Sequence, residues 1–164
     1  MSSSEANLPD QFSALMRETR LSSSLTVLFS QAVAERLGVH STDIETLDLL
    51  GIYGPMTAGQ LAEHAGLTTG ATTRLIDRLE RAGFVRRHHD ENDRRRVIIE
   101  PNWERATVVM ALFESVGRRM GELWKSYSSE DLATIIDFMQ RSNRIMAEEN
   151  AALRGRPHDP DPPR

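Results

Sequence analysis

The sequence contains no cysteine. That excludes a disulfide scaffold, a thiolate zinc site, a cysteine nucleophile and a thiol redox switch within the chain, and it is compatible with a reducing cytosol. Aromatic residues make up only 5%, so a core has to be built from Leu, Ile, Val, Met and Ala. No apolar run approaches the roughly 18–20 residues that a membrane span needs. The N-terminus, MSSSEANLPDQF, has no basic segment followed by an apolar one, so no secretory signal is expected and the expected location is cytoplasmic. A glycine-rich phosphate loop, a serine nucleophile elbow, a His-Glu-x-x-His helix and paired carboxylates in an apolar setting are also missing. Neither an enzyme nor a cofactor is expected.

What remains is an ordinary globular composition. The 164 residues are 39% hydrophobic and 27% charged; that is enough for one domain with a real core and short for two. The net charge of −4 has the wrong sign for a nucleic-acid partner, but its distribution matters more than its sum. Residues 57–101 carry eight arginines against seven acids, while the remainder carries twelve basic residues against seventeen acidic ones. The middle is neutral to basic and the ends are acidic.

Residues 1–7 and the proline-rich end, 154–164, read as disordered. From Leu8 to Leu37 apolar residues recur at helical spacing (Phe12, Leu15, Met16, Leu25, Leu28, Val33), with Pro9 suited to a first turn, a bend expected near Ser22–Ser24, and Gly38 as the stop. Thr42-Asp-Ile-Glu45 fits a capping box for a second helix ending at Gly51–Gly54. Thr57-Ala-Gly-Gln60 fits another, opening a short helix that Gly66 ends. Thr68 caps a fourth helix that runs to Ala82. Two β-type runs, 84–88 and 94–100, flank the polar turn Asp90-Glu-Asn-Asp93 and predict a hairpin. Two amphipathic helices follow. Helices three and four, joined around Gly66, make a helix-turn-helix, and the hairpin after them is a wing. The fold class is mainly α with a small β-hairpin wing.

On a wheel of about 100° per residue, Ala71, Thr72, Leu75, Ile76, Leu79 and Ala82 share the core side of the fourth helix. Gly70, Thr73, Arg74, Asp77 and Arg81 share the other. The exposed groups at its start, Thr69, Gly70 and Thr73, are small or hydroxylic, so the backbone can approach a groove closely. Open amides there favour phosphate. Arg74, one turn in, can reach a phosphate or grip a guanine edge with two donors. Asp77 is unfavourable near phosphate; either the helix tilts away beyond its first turns, or Asp77 pairs with Arg74, Arg78 or Arg81. The bland alternative for this helix is a capped amphipathic segment with a solvated charged face. At the hairpin tip, Arg94, Arg95 and Arg96 repel one another and bury nothing. They suit a minor groove, whose negative potential favours arginine, with Asp93 holding a neighbouring guanidinium. Edge-strand charge against aggregation is the alternative.

The run Gly66-Leu-Thr-Thr-Gly-Ala-Thr-Thr-Arg-Leu-Ile-Asp-Arg-Leu-Glu-Arg-Ala-Gly-Phe-Val-Arg-Arg87, followed by Asp93-Arg94-Arg95, resembles the MarR family (multiple antibiotic resistance regulators), as does Met56-Thr-Ala-Gly-Gln-Leu-Ala-Glu-His-Ala65 before it. The likeness follows helix order over about residues 8–148 and is sharp over 55–97. It implies a homodimer whose interlocked dimerisation region is built from residues 8–37 and 102–153, with a winged DNA-binding lobe at 38–101. It also implies a near-palindromic operator in double-stranded DNA, most often repressed. Carried over residue by residue, the DNA-binding candidates are Thr68, Thr69, Gly70, Thr73 and Arg74 for the major groove and Arg94 and Arg95 for the minor groove, with Asp93 as wing support. Where the family often has Leu-Thr-x-x-Gly after the wing, this chain has Ile99-Glu100-Pro101-Asn102.

Many proteins of this kind release DNA on binding small aromatic acids between the dimer region and the lobes. The resemblance brings such an effector as a candidate partner, and no residue pattern here specifies it. Met16, Tyr53 and Trp103 are cleft candidates, and ordinary packing is the commoner role for such residues. No metal site is expected: His88 and His89 are adjacent on a strand and point to opposite faces, and His40 and His64 lack ligand spacing. The competing function is a winged-helix protein-interaction module. It would keep the fold without needing Arg94–Arg96 or the small residues at 69–70.

Overall fold

The computed structural model describes residues 7–155. Of the ends expected to be disordered, 1–6 and 156–164 lie outside the described residues. The chain falls into two compact units, Met1–Glu45 and Thr46–Arg164. The first holds α1 (Leu8–Leu37) and the start of α2 (Ser41–Tyr53). α1 runs unbroken through Ser22–Ser24. The Ser24 hydroxyl donates to the Arg20 carbonyl and that of Thr26 to the Ser22 carbonyl, so these side chains bond within the helix instead of competing with it. Gly38 ends α1 in the left-handed conformation, φ 68°. The cap of α2 lies two residues earlier than the Thr42/Glu45 pattern places it. The buried Asp43 carboxylate accepts the His40 N–H at 3.0 Å, and the Asp43 N–H donates to the His40 carbonyl.

The second unit contains the rest of α2, β1 (Met56–Thr57), α3 (Ala58–Ala65), α4 (Thr69–Arg81), β2 (Val85–His89), β3 (Val97–Pro101), α5 (Trp103–Lys125) and α6 (Ser129–Leu153). The expected hairpin is there, and the sheet has a third strand that sequence did not supply. Its order is β1-β3-β2, all antiparallel, with Met56 opposite Ile99 and Val85 opposite Pro101. The Thr57–Gln60 capping box forms in full, and Gly66 closes α3 at φ 62°. α3 packs on α4, β1 and β3, and α4 packs on β2. The buried hydrophobic side chains of this unit include Leu50, Met56, Leu61, Leu75, Ile76, Leu79, Phe84, Val85, Ile99 and Val109. On α4, Thr72, Leu75, Ile76 and Leu79 are buried, which is the side the wheel assigned to the core.

Asn102 ties the start of α5 to this core. Its N–H donates to the Phe84 carbonyl, its side-chain amide donates to the Gly83 carbonyl at 2.9 Å, and its side-chain oxygen accepts from Arg86 at 2.9 Å. Arg105, one turn on, lies over the Phe84 ring, 5.5 Å from its centre. Asn102 thus fastens α5 to the end of the helix-turn-helix. α6 has a complete capping box of its own, Ser128 with Asp131. At its far end the Arg154 guanidinium lies over Gly66, where a Cβ would overlap it, and reaches the Ala65 carbonyl at 3.5 Å.

Candidate nucleic-acid interface

Five of the sequence candidates cluster at the start of α4. Thr68 is its N-cap: the side-chain oxygen accepts the Ala71 N–H at 3.3 Å, so this hydroxyl sets the helix start. The Thr73 hydroxyl donates to the Thr69 carbonyl at 2.9 Å. The Thr69 hydroxyl has no partner among the described residues. Gly70 is exposed, and a Cβ there would meet only the Arg74 guanidinium, at 3.8 Å. No described part of the chain requires glycine at this position; its lack of a side chain leaves the surface open. Arg74 is exposed with no ion-pair partner among the described residues. The result is a helix start with open backbone amides, a smooth surface and one uncommitted guanidinium. Such a surface accepts phosphate and hydrogen-bonds to base edges.

The hairpin turn is built by its acids. The Asp90 carboxylate accepts the N–H groups of Asn92 (2.8 Å) and Asp93 (3.3 Å), and backbone bonds from Asp90 to Arg96 and from Arg96 to Asp93 close the loop. The Asn92 N–H is the main reason that the Asp90 carboxyl titrates below the usual aspartate range; a smaller burial effect opposes it, and the Asp93 N–H, Arg96 and His88 reinforce it. Asp93 accepts the backbone N–H of Arg95 at 3.0 Å. It therefore shapes the turn through the main chain, where a grip on a guanidinium had been expected. Arg96 lies 3.9 Å from the Asp90 carboxylate. Arg94 and Arg95 are exposed, and their guanidinium groups have no partner among the described residues. Arg94 borders a shallow hollow with His89, Asp90 and Glu91.

The acid on the exposed side of α4 resolves differently from every option that helix spacing offered. Asp77 pairs with Arg87 of β2, and Arg87 also pairs with Glu80. Burial pulls the Arg87 pKa down, but hydrogen bonding to Asp77 and the charges of Glu80 and Asp77 outweigh it and raise the pKa. Arg87 was not among the sequence candidates. The signal that could have found it was the misplaced acid: an Asp on a surface meant for phosphate needs a cation, and the wing strand supplies one.

The remaining candidates are placed as follows. Tyr53 stacks on His64, ring centres 4.2 Å apart and 19° from parallel. Trp103 and Met16 are exposed. The His88 imidazole lies 3.8 Å from Glu100 on the neighbouring strand. Among the described residues no group of three or more His, Asp or Glu side chains is placed to hold a metal, and no helix is long and apolar enough to cross a membrane.

With this geometry in place, the likeness to other proteins can be weighed. A sequence profile described as MarR family matches residues 39–97, the segment from the start of α2 to the start of β3. The uncharacterized HTH-type transcriptional regulator YcgE of Bacillus subtilis (strain 168) is 43% identical over 129 residues, which is 79% of this chain and 84% of that protein. The chain belongs to the MarR family. A second Bacillus subtilis relative, the uncharacterized HTH-type transcriptional regulator YfiV, is 28% identical over 71% of each chain. Among solved structures, a MarR family protein from Bacillus stearothermophilus superposes with a TM-score of 0.64 at 21% identity, covering 86% of this chain and 99% of the other. The apo form of MarR from E. coli superposes with a TM-score of 0.56 at 22% identity, covering 78% and 95%. At that identity the structural likeness speaks for the fold. The MarR-family fold here is a winged helix-turn-helix between long terminal helices, and its named relatives are transcriptional regulators.

Proposed function

We propose that this MarR-family protein is a sequence-specific double-stranded DNA-binding transcriptional regulator. It acts as a homodimer on a near-palindromic operator, in the repressing sense. The observation that carries the reading is the pair of uncommitted cationic surfaces in one unit. These are the smooth start of α4, with Thr69, Gly70, Thr73 and Arg74, and the wing turn, with Arg94 and Arg95. Solvated, unpaired arginines on a preformed turn add little to folding. Beside phosphates they displace counterions and add affinity. Two such lobes related by a two-fold axis would present their α4 helices about 34 Å apart, to successive major-groove faces.

Homodimer formation is supported by the apolar faces that one chain leaves uncovered. Phe12 is 61% exposed on α1, Trp124 54% on α5 and Met146 61% on α6. Faces of that extent mark association surfaces. Release by a small aromatic acid belongs to the same reading, bound between dimer region and lobe, with no residue assigned.

The test is selection of binding sites from random duplex DNA by the purified protein, with the winners' affinities measured at two salt concentrations. The expected result is a near-palindromic site whose affinity falls steeply with salt. A folded dimer that enriches no sequence, or whose binding to partner protein is insensitive to salt, would instead favour a winged-helix interaction module.

A further inference from the structure

Thr73, Asp77 and Glu80 follow one another at i, i+4 and i+7, along one line of α4. Asp77 therefore stands on the side of Thr73, about 6 Å further along the helix axis. A helix that brings Thr73 to a phosphate-lined groove brings two carboxylates close behind it. Both carboxylates meet the same cation: Arg87, reaching from β2, hydrogen-bonds Asp77 with one guanidinium nitrogen and Glu80 with the other. The Arg87 side chain is 29% exposed, and those of Asp77 and Glu80 are 46% and 39%. The cluster sits at the surface, where its charge is felt outside the protein and where ion pairing contributes little to folding. Among the described residues Arg74 has no ion-pair partner and the Arg81 guanidinium donates to the Asp77 carbonyl, not to its carboxylate, and both acids pair with the wing strand.

We propose that Arg87 is a positioning residue that acts as an electrostatic mask: it cancels Asp77 and Glu80 so that the recognition helix can approach phosphates. This rests on the DNA-binding reading above. Arg87 acts through the two carboxylates and touches no nucleotide itself. The three residues together carry a net charge of −1. The mask predicts that affinity for DNA follows the net charge of this cluster, whichever of its members remain. A bridge needed only for geometry predicts that every variant lacking it is impaired.

Four proteins separate these outcomes: the wild type, Arg87→Met, the double variant Asp77→Asn/Glu80→Gln, and the triple variant combining all three. Counted as formal charges, their clusters carry −1, −2, +1 and 0 in turn. Binding to the selected operator duplex is measured at low and high salt, with circular dichroism and urea midpoints read alongside. The expected order of affinity at low salt is double, triple, wild type, Arg87→Met. Arg87→Met should lose roughly tenfold or more, the triple variant should recover it, and the spread should shrink at high salt as the charges are screened. If the double and triple variants bind worse than wild type while remaining folded, the mask is wrong and the bridge is geometric. If Arg87→Met binds as well as wild type, Arg87 has no part in DNA binding. If the wild type binds no duplex at all, the DNA-binding reading fails and takes this proposal with it. Should Arg87→Met fail to fold, the double variant, which keeps Arg87, still decides: tighter binding supports the mask and weaker binding overturns it.

Discussion

The helix-turn-helix with its wing and the long helices around it are built on opposite principles. In the lobe, short elements bury their apolar residues within one chain. Leu61, Ile76, Leu79 and Ile99 have almost no exposure, and each short helix is closed by a cap or a left-handed glycine. The long helices α5 and α6 have almost no core of their own. α5 buries only Val109 and α6 buries nothing, while Met120, Leu123, Trp124, Ile136, Met139 and Ile145 stay exposed. One region is stabilised by its own contacts. The other has a correct local structure and lacks a partner for its apolar side. The lobe is a self-contained part, and in the homodimer proposed above the helices are half of an interface.

The sharpest way to break this contrast is on α6. Ile136→Asp with Met139→Asp should place charges in the apolar face and dissolve the dimer, lowering association by at least 100-fold, or about 3 kcal/mol. Sedimentation velocity checks this; a folded protein that is monomeric before and after the change would refute the half-interface view. Leu79→Ala attacks the other side of the contrast. It should cost about 2–5 kcal/mol of lobe stability in urea titrations and leave the sedimentation of the native protein unchanged. Next come the uncommitted arginines. Arg74→Ala and Arg94→Ala should each weaken operator binding by about 1–3 kcal/mol while leaving the urea midpoint where it was, because neither side chain is spent inside the lobe. Gly66→Ala should destabilise by about 1–2 kcal/mol, since φ 62° is strained for any side chain. Its Cβ would also displace Arg154 from its place over the turn. The smallest effect is on the wing. Asp90 has its carboxyl pKa lowered by folding, so the order it gives the turn is full above the ordinary aspartate value of about 3.9 and is lost as pH falls through the lower folded value. The amide resonances of Asn92 and Asp93 should therefore shift with a midpoint below that of an unstructured aspartate; a midpoint at or above it would remove Asp90 from the turn's scaffold.

Local chemistry carried most of the fold in the sequence. The Thr57–Gln60 box, the Thr68 cap, the glycine at 66 and the acid-rich turn at 90–93 each act within four residues, and each was legible for that reason. What escaped depended on partners far along the chain. β1 is two residues long and exists only because Met56 and Thr57 meet Ile99 and Ile98. The cations on its own helix that could pair with Asp77 stand one, three and four residues away, but its partner lies ten residues on, across a turn and in another element. The start of α2 was misplaced for a different reason. Thr42 and Glu45 match a capping box by type, but Asp43 is the side chain that reaches the His40 amide, and sequence alone does not choose between overlapping patterns. Of the candidate DNA-facing residues, Arg74, Arg94 and Arg95 have guanidinium groups without an ion-pair partner among the described residues, whereas the hydroxyls of Thr68 and Thr73 are spent on α4 itself.

Asn102 has a mechanical consequence. By holding Gly83, Phe84 and Arg86 at once, it removes the joint that a loop between wing and α5 would otherwise provide. α5 and the lobe then turn together as a spanner turns with its jaw. With 23 residues, α5 is a lever about 34 Å long, so a tilt of about 5° about the Asn102 end moves the other end by roughly 3 Å. In the homodimer proposed above, a small adjustment where the long helices of the two chains meet would swing each lobe as a whole, and the gauge between two α4 helices would change without a single bond inside either lobe being broken.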